Sequence, residues 1–177
     1  MIRWSFFPKN IRLPNIGQEV INAFEEVEPD ISSIQNNHLI GGGGTDTHSN
    51  TVLEKVSKGL IKIGFQVEIG KRRDEKINIP VLFGECGKPL QSFDADAYNP
   101  KEKFVIEVEA GRAVTNYQFL KDYFQACVMV DVDYLAIAVR QLYRDKNDYE
   151  IVVSFFDTLY ASGRLQSKLK GVLIIGY

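Results

Sequence analysis

The apolar positions change period along the chain, and each period predicts an element. Val20, Ile21, Phe24 and Val27 recur at helical spacing and predict a first helix over residues 17–28, ending before Pro29. Residues 1–16, which hold Pro8 and Pro14, read as an irregular lead-in. Residues 39–47, with Gly41 to Gly44, read as a flexible break. A second helix follows. Thr51-Val52-Leu53-Glu54 fits a capping box, Leu53, Val56, Leu60 and Ile63 line one face, and Gly64 stands where a helix-ending glycine belongs. Residues 65–69 alternate as a strand does. Residues 71–90 open with Lys71-Arg72-Arg73, contain Pro80, Gly84, Gly87 and Pro89, and read as a long connection.

Strands over 92–98 and 103–110 flank the turn signal Asn99-Pro100, and Gly111 closes the second. Residues 115–129 predict an amphipathic helix with Tyr117, Leu120, Phe124 and Cys127 inward. Tyr134 to Val139 is a continuous apolar run, as a strand buried on both faces requires. A helix over 149–161 ends at Gly163, and residues 171–177 form a last strand. The fold expected is α/β, a mixed sheet flanked by helices in one domain. Within it, residues 1–48 form an N-terminal helical extension, 51–140 the core, and 141–177 a C-terminal helix and strand.

Composition narrows the function classes. The 177 residues are 45% hydrophobic and 25% charged, the balance of a globular chain long enough for one well-packed domain. The net charge of -2 argues against bulk electrostatic attraction to nucleic acid. It leaves room for an enzyme whose clustered carboxylates hold a cation beside a basic rim. No apolar run reaches the roughly 18 residues of a membrane span, and the first residues are too short in apolar character for a secretory signal. Cys86 and Cys127 form no zinc pattern, so reduced thiols and a cytoplasmic location are expected. The glycine run lacks the Gly-Lys-Ser/Thr ending of a phosphate loop. His38 and His48 have no ligand spacing and read as surface residues.

The candidate chemistry lies in Asp94-Ala95-Asp96 and Glu107-Val108-Glu109. Alternation places Asp94 with Asp96 on one face and Glu107 with Glu109 on one face, and Ala95, Ala97, Phe104, Ile106 and Val108 on the other. Two registers fit the turn. One sets Asp94 opposite Glu107, and the other, shifted by two, sets Asp96 there. Carboxylates facing each other on a sheet repel, and a hard divalent cation relieves the repulsion. An ordinary solvated acidic face accounts for the same alternation.

Order and spacing together resemble the PD-(D/E)xK nuclease superfamily, in its restriction-endonuclease-like branch. A helix with a Glu, a strand, a hairpin bearing Asp and Glu-x-Glu, a helix and a buried strand follow that family's three-layer αβββαβ core. The resemblance covers about half the chain, residues 51–140. It implies Asp94 or Asp96 as the first acid, Glu107 as the second, Glu54 as an accessory acid and the Val108 carbonyl as a further ligand of Mg²⁺, with Mn²⁺ as a substitute. Glu109 stands where the family usually carries Lys, so Lys121 on the following helix becomes the candidate water-activating residue. Gln118, Lys121 and Gln125 share one side of that helix. Arg112, Asn116 and Gln118 are the implied nucleic-acid contacts. For Glu54 a capping box, and for Lys121 a solvated face, explain the residue equally well. The activity implied is hydrolysis of DNA phosphodiesters, with DNA as partner, a homodimer allowed and no membrane involved. A nuclease-fold protein that binds nucleic acid or a protein partner without cutting is the alternative.

Overall fold

The structure is a computed structural model that describes residues 1–31, 46–70, 72, 75–111, 113–143 and 146–177, with residues 46–48 described by backbone alone. Its centre is a six-stranded mixed sheet built from β1 (Arg3–Phe7), β2 (Gln66–Val67), β5 (Ala97–Asn99), β6 (Phe104–Glu109), β7 (Tyr134–Val139) and β8 (Gly171–Gly176). Their order across the sheet is β1-β8-β7-β6-β5-β2. β6, β7 and β8 run parallel, while β1, β5 and β2 join antiparallel. A separate hairpin pairs β3 (Ile77–Phe83) with β4 (Pro89–Ala95).

β7 and β8 are apolar on both faces, as strands covered on both sides require. Ala136, Ala138, Leu173 and Ile175 enter one core together with α1 (Asn15–Glu26) and α2 (Asp46–Lys62). Leu135, Ile137, Val139, Val172 and Ile174 enter the other, with α3 (Gln118–Val128) and α4 (Asp148–Ser162). The mixed sheet flanked by helices is therefore as expected. α1 and α2 approach so closely that a Cβ at Gly59 would lie 2.9 Å from the Cβ of Ala23. Gly64 ends the α2 segment with φ 92°, as its place after the apolar face predicted.

Four expectations need correction. The lead-in is not irregular: residues 3–7 form β1, which pairs with β8 from the far end of the chain. The connection over 71–90 contains β3 and the start of β4, where Pro80 is accommodated at a register shift in a two-stranded sheet. α2 begins at Asp46, so Thr51 to Glu54 lie inside the helix rather than at its cap, and the predicted break at 46–47 is helical. The rest of that break, 39–45, falls outside the described residues, as does His38. Finally, α3 buries Phe119, Asp122, Tyr123 and Ala126, while Tyr117 and Phe124 are exposed. The helix is turned so that Phe119 and Tyr123 meet Phe156 of α4 edge to face.

Candidate functional site

Where β4 meets β5 the strand kinks at Asp96. Ala95 before it packs into the α3–α4 core, and Ala97 after it into the α1–α2 core, so the regular alternation predicted through this segment is broken. The pairing of β5 with β6 sets Ala97 opposite Ile106 and Tyr98 opposite Val105. Of the two registers, this is the one in which Asp96 falls level with Glu107. The kink ends backbone pairing at that point, and the Asp96 side chain replaces it: its Oδ2 accepts from the Val108 N–H at 2.7 Å. The Asp96 carbonyl accepts from the Glu68 N–H at 2.8 Å, tying the kink to the β2 side.

The turn that aims β6 is equally specified. Asn99 Oδ1 accepts from the backbone N–H groups of Lys101 and Glu102 at 3.1 Å, and its Nδ2 donates to the Ile63 carbonyl at 3.2 Å. Beyond the turn, Ile106 and Val108 point into the α1–α2 core, which directs Glu107 and Glu109 towards α3. There they meet Lys121 and Asp122. Asp96, Glu107, Glu109 and Asp122 line one polar cleft of about 320 Å³, together with Glu68, Lys76, Lys121, Gln118 and Gln125.

Burial dominates the electrostatics of this cleft. It lifts the Asp96 carboxyl to about 6, opposed by the Val108 N–H. It lifts Glu107 well above the usual carboxylate range, reinforced by the charges of Asp96, Asp122 and Glu109. Glu109 rises to about 8 and Asp122 to about 7, again chiefly by burial. A hydrogen bond between these two side chains raises Glu109 and lowers Asp122. Among the described residues, Asp122 Oδ2 is buried without a hydrogen-bond partner. Lys121 opposes the rise at all four acids. Lys76 Nζ donates to Glu68 Oε1 at 2.8 Å, and that bond, with the charges of Asp94 and Asp96, holds its ammonium above the ordinary lysine range.

The predicted site residues thus divide. Asp96, Glu107, Glu109, Val108, Lys121 and Gln118 come together at the cleft. Asp94 borders it too, but from an exposed position opposite Asn78 in the hairpin. Glu54 does not line it; it lines a neighbouring hollow. Asn116 is exposed in the turn before α3, and Arg112 lies outside the described residues. Sequence reasoning missed Asp122, Lys76 and Glu68. Asp122 stands at helical spacing from Gln118 and Gln125, and that was the available signal. Among the described residues no three His, Cys, Asp or Glu side chains already form a metal-ligand set, and no described helix is long and apolar enough to cross a membrane. The sequence matches no protein-family model and no curated protein.

Proposed function

We propose that this chain is a Mg²⁺-dependent endonuclease that hydrolyses phosphodiester bonds of DNA, built on a restriction-endonuclease-like core. One observation carries the reading: four half-buried or buried carboxyls, each driven above its ordinary pKa, share a cleft with two lysines. A merely solvated acidic face would leave its carboxylates hydrated and ionised. The order α2, β2, the kinked β4–β5 strand, β6, α3, β7 further supports the reading, with β3 inserted as the partner of β4.

The donor set fits a hard cation, because it offers carboxylate oxygens and one buried oxygen of Asp122 that lacks a partner among the described residues. Asp96, Glu107 and Asp122 would hold it, with Asp94 at the outer edge and the Val108 carbonyl at hand. Bound there, Mg²⁺ supplies charge neutralisation of the cleft, a lowered pKa for water and stabilisation of the leaving oxygen. The chain's own residues do the rest. The Val108 N–H fixes the Asp96 carboxylate in place. Lys76, anchored by Glu68, offers positive charge to the non-bridging oxygens of a phosphodiester. Lys121 takes the place of the lysine that Glu109 displaces, and burial holds the Glu109 carboxyl above the usual carboxylate range beside Asp122.

A second reading is a nuclease-fold protein that binds nucleic acid or a partner without cutting. Glu109, standing where the resembled family carries Lys, favours it. Cleavage of plasmid and single-stranded DNA in Mg²⁺ or Mn²⁺ by wild type and Glu107→Ala separates the two. Nicking by the wild type that is lost in the variant supports the enzyme. Divalent-cation binding without cleavage of any nucleic acid supports the binding protein.

A further inference from the structure

We propose that the hollow beside the acidic cleft is a nucleobase site, selecting an unpaired base that carries an amino group; this inference rests on the nuclease reading of the cleft. The hollow has a volume of about 570 Å³ and lies between α2 and the short edge strand β2. Glu68 borders both cavities, so a strand whose phosphate lies in the cleft has an adjoining cavity beside it for a base. Leu53 and Phe65, 5% and 3% exposed, are its most buried lining residues, and Val67 is half-buried. Ile61 and Ile69 are 59% and 89% exposed and leave apolar surface in solvent at its edge. Apolar walls of this kind suit the faces of an unstacked base.

The polar groups define the ligand further. Glu54 and Glu68 bring carboxylates to a hollow that Asn50, Ser57 and Gln66 line beside the apolar side chains, and Glu68 spends Oε1 on Lys76. Carboxylates repel a phosphate or an acidic peptide and accept N–H donors. Cytosine and adenine present such amino donors at N4 and N6, thymine presents the O4 carbonyl where cytosine carries N4, and guanine carries its amino group on C2. Gln66 adds an amide able both to donate and to accept along a base edge. A base stacked and paired in a duplex is out of reach of such a cavity, so the substrate strand must be single or must release a base. Glu54, which the resemblance assigns to the metal, acts here as a base-reading residue.

The test is fluorescence anisotropy of short labelled oligodeoxynucleotides with Ca²⁺ present, alongside thermal melts with Mg²⁺. Oligo-dC and oligo-dA are expected to bind about tenfold or more tightly than oligo-dT or a paired duplex of equal length. Ile61→Glu, at an exposed position, removes that advantage, and Ile69→Glu serves as a second probe of the same edge. Glu54→Gln narrows the gap between dC and dT. All three variants keep the wild-type rise in Tm with Mg²⁺. Equal binding of all oligonucleotides, or binding indifferent to both isoleucine variants, overturns the base site while a persisting Mg²⁺ response leaves the nuclease reading standing. No Mg²⁺ response and no oligonucleotide bound overturns both.

Discussion

The two halves of the central sheet obey different rules. In β7 and β8 every residue except the half-buried Tyr134 is buried, strand propensity and packing agree, and the register runs unbroken from Tyr134↔Gly171 to Val139↔Gly176. In the half formed by β6, β5 and β2, the chain enters from β4 of the hairpin through a break at Asp96, and Glu107 and Glu109 of β6 line a polar cleft instead of an apolar core. β6 belongs to both: Phe104, Val105 and Ile106 are fully buried, and Glu107 and Glu109 follow immediately. Local rules that agree build stability, and a cluster of local violations held in place by a well-packed neighbour marks the candidate functional region. The apolar half is thus the scaffold that keeps mutually repelling carboxyls together.

That contrast can be broken from either side, and the largest effect is on activity. Glu107→Ala should abolish Mg²⁺-dependent nicking of plasmid DNA while raising the metal-free Tm at pH 8, because it removes one of the repelling carboxyls. A drop in both would make Glu107 a structural residue. On the scaffold side, Ile174→Ala empties a fully buried position of β8 and should cost about 2–5 kcal/mol in chemical denaturation. In the variant that still folds, the Tm gain on adding Mg²⁺ should match wild type.

The pH dependence sharpens the same comparison. Asp96, Glu109 and Asp122 have folded pKa values of about 6, 8 and 7, above the ordinary carboxyl range. Between that range and about 8 the folded chain therefore holds protons that the unfolded chain has released, and stability falls as pH rises. Metal-free melts should show Tm declining from pH 5 to pH 8, with Mg²⁺ restoring more at pH 8 than at pH 5. A flat or rising Tm would contradict the burial-driven shifts. Asp122→Asn should give a smaller gain, about 1 kcal/mol at pH 8 without metal, since it removes a buried charge. Smallest of all, Glu54→Ala should leave the Mg²⁺-induced Tm shift unchanged, because Glu54 lines the hollow and not the cleft.

What the sequence revealed follows the same division. β7, β8, α4 and its end at Gly163 were legible because each is specified by neighbouring residues. The Asn99 turn was legible for the same reason, and with it the facing of Glu107 and Glu109. β1 was hidden because its partner is at the other end of the chain and Arg3-Trp4-Ser5-Phe6-Phe7 does not alternate cleanly. β3 was hidden by Pro80 and by the absence of a period. The facing of α3 was ambiguous because it has apolar side chains on two faces: Phe119 with Tyr123, and Tyr117, Leu120 with Phe124. Choosing the second concealed Asp122. Which of Asp94 and Asp96 falls level with Glu107 depended on a kink that no local pattern announces, and Lys76 and Glu68 reach the cleft only through tertiary structure.

The most direct measurement is calorimetric titration of Mn²⁺ into the metal-free protein at pH 7.5, wild type against Glu107→Gln. Saturable binding with proton release is expected in the wild type, as Asp96, Glu107 and Asp122 lose their protons on holding the cation, and loss of that binding is expected in the variant. Saturable binding that survives unchanged in Glu107→Gln, or no binding in either protein, would contradict the claim that this cleft is a divalent-cation site.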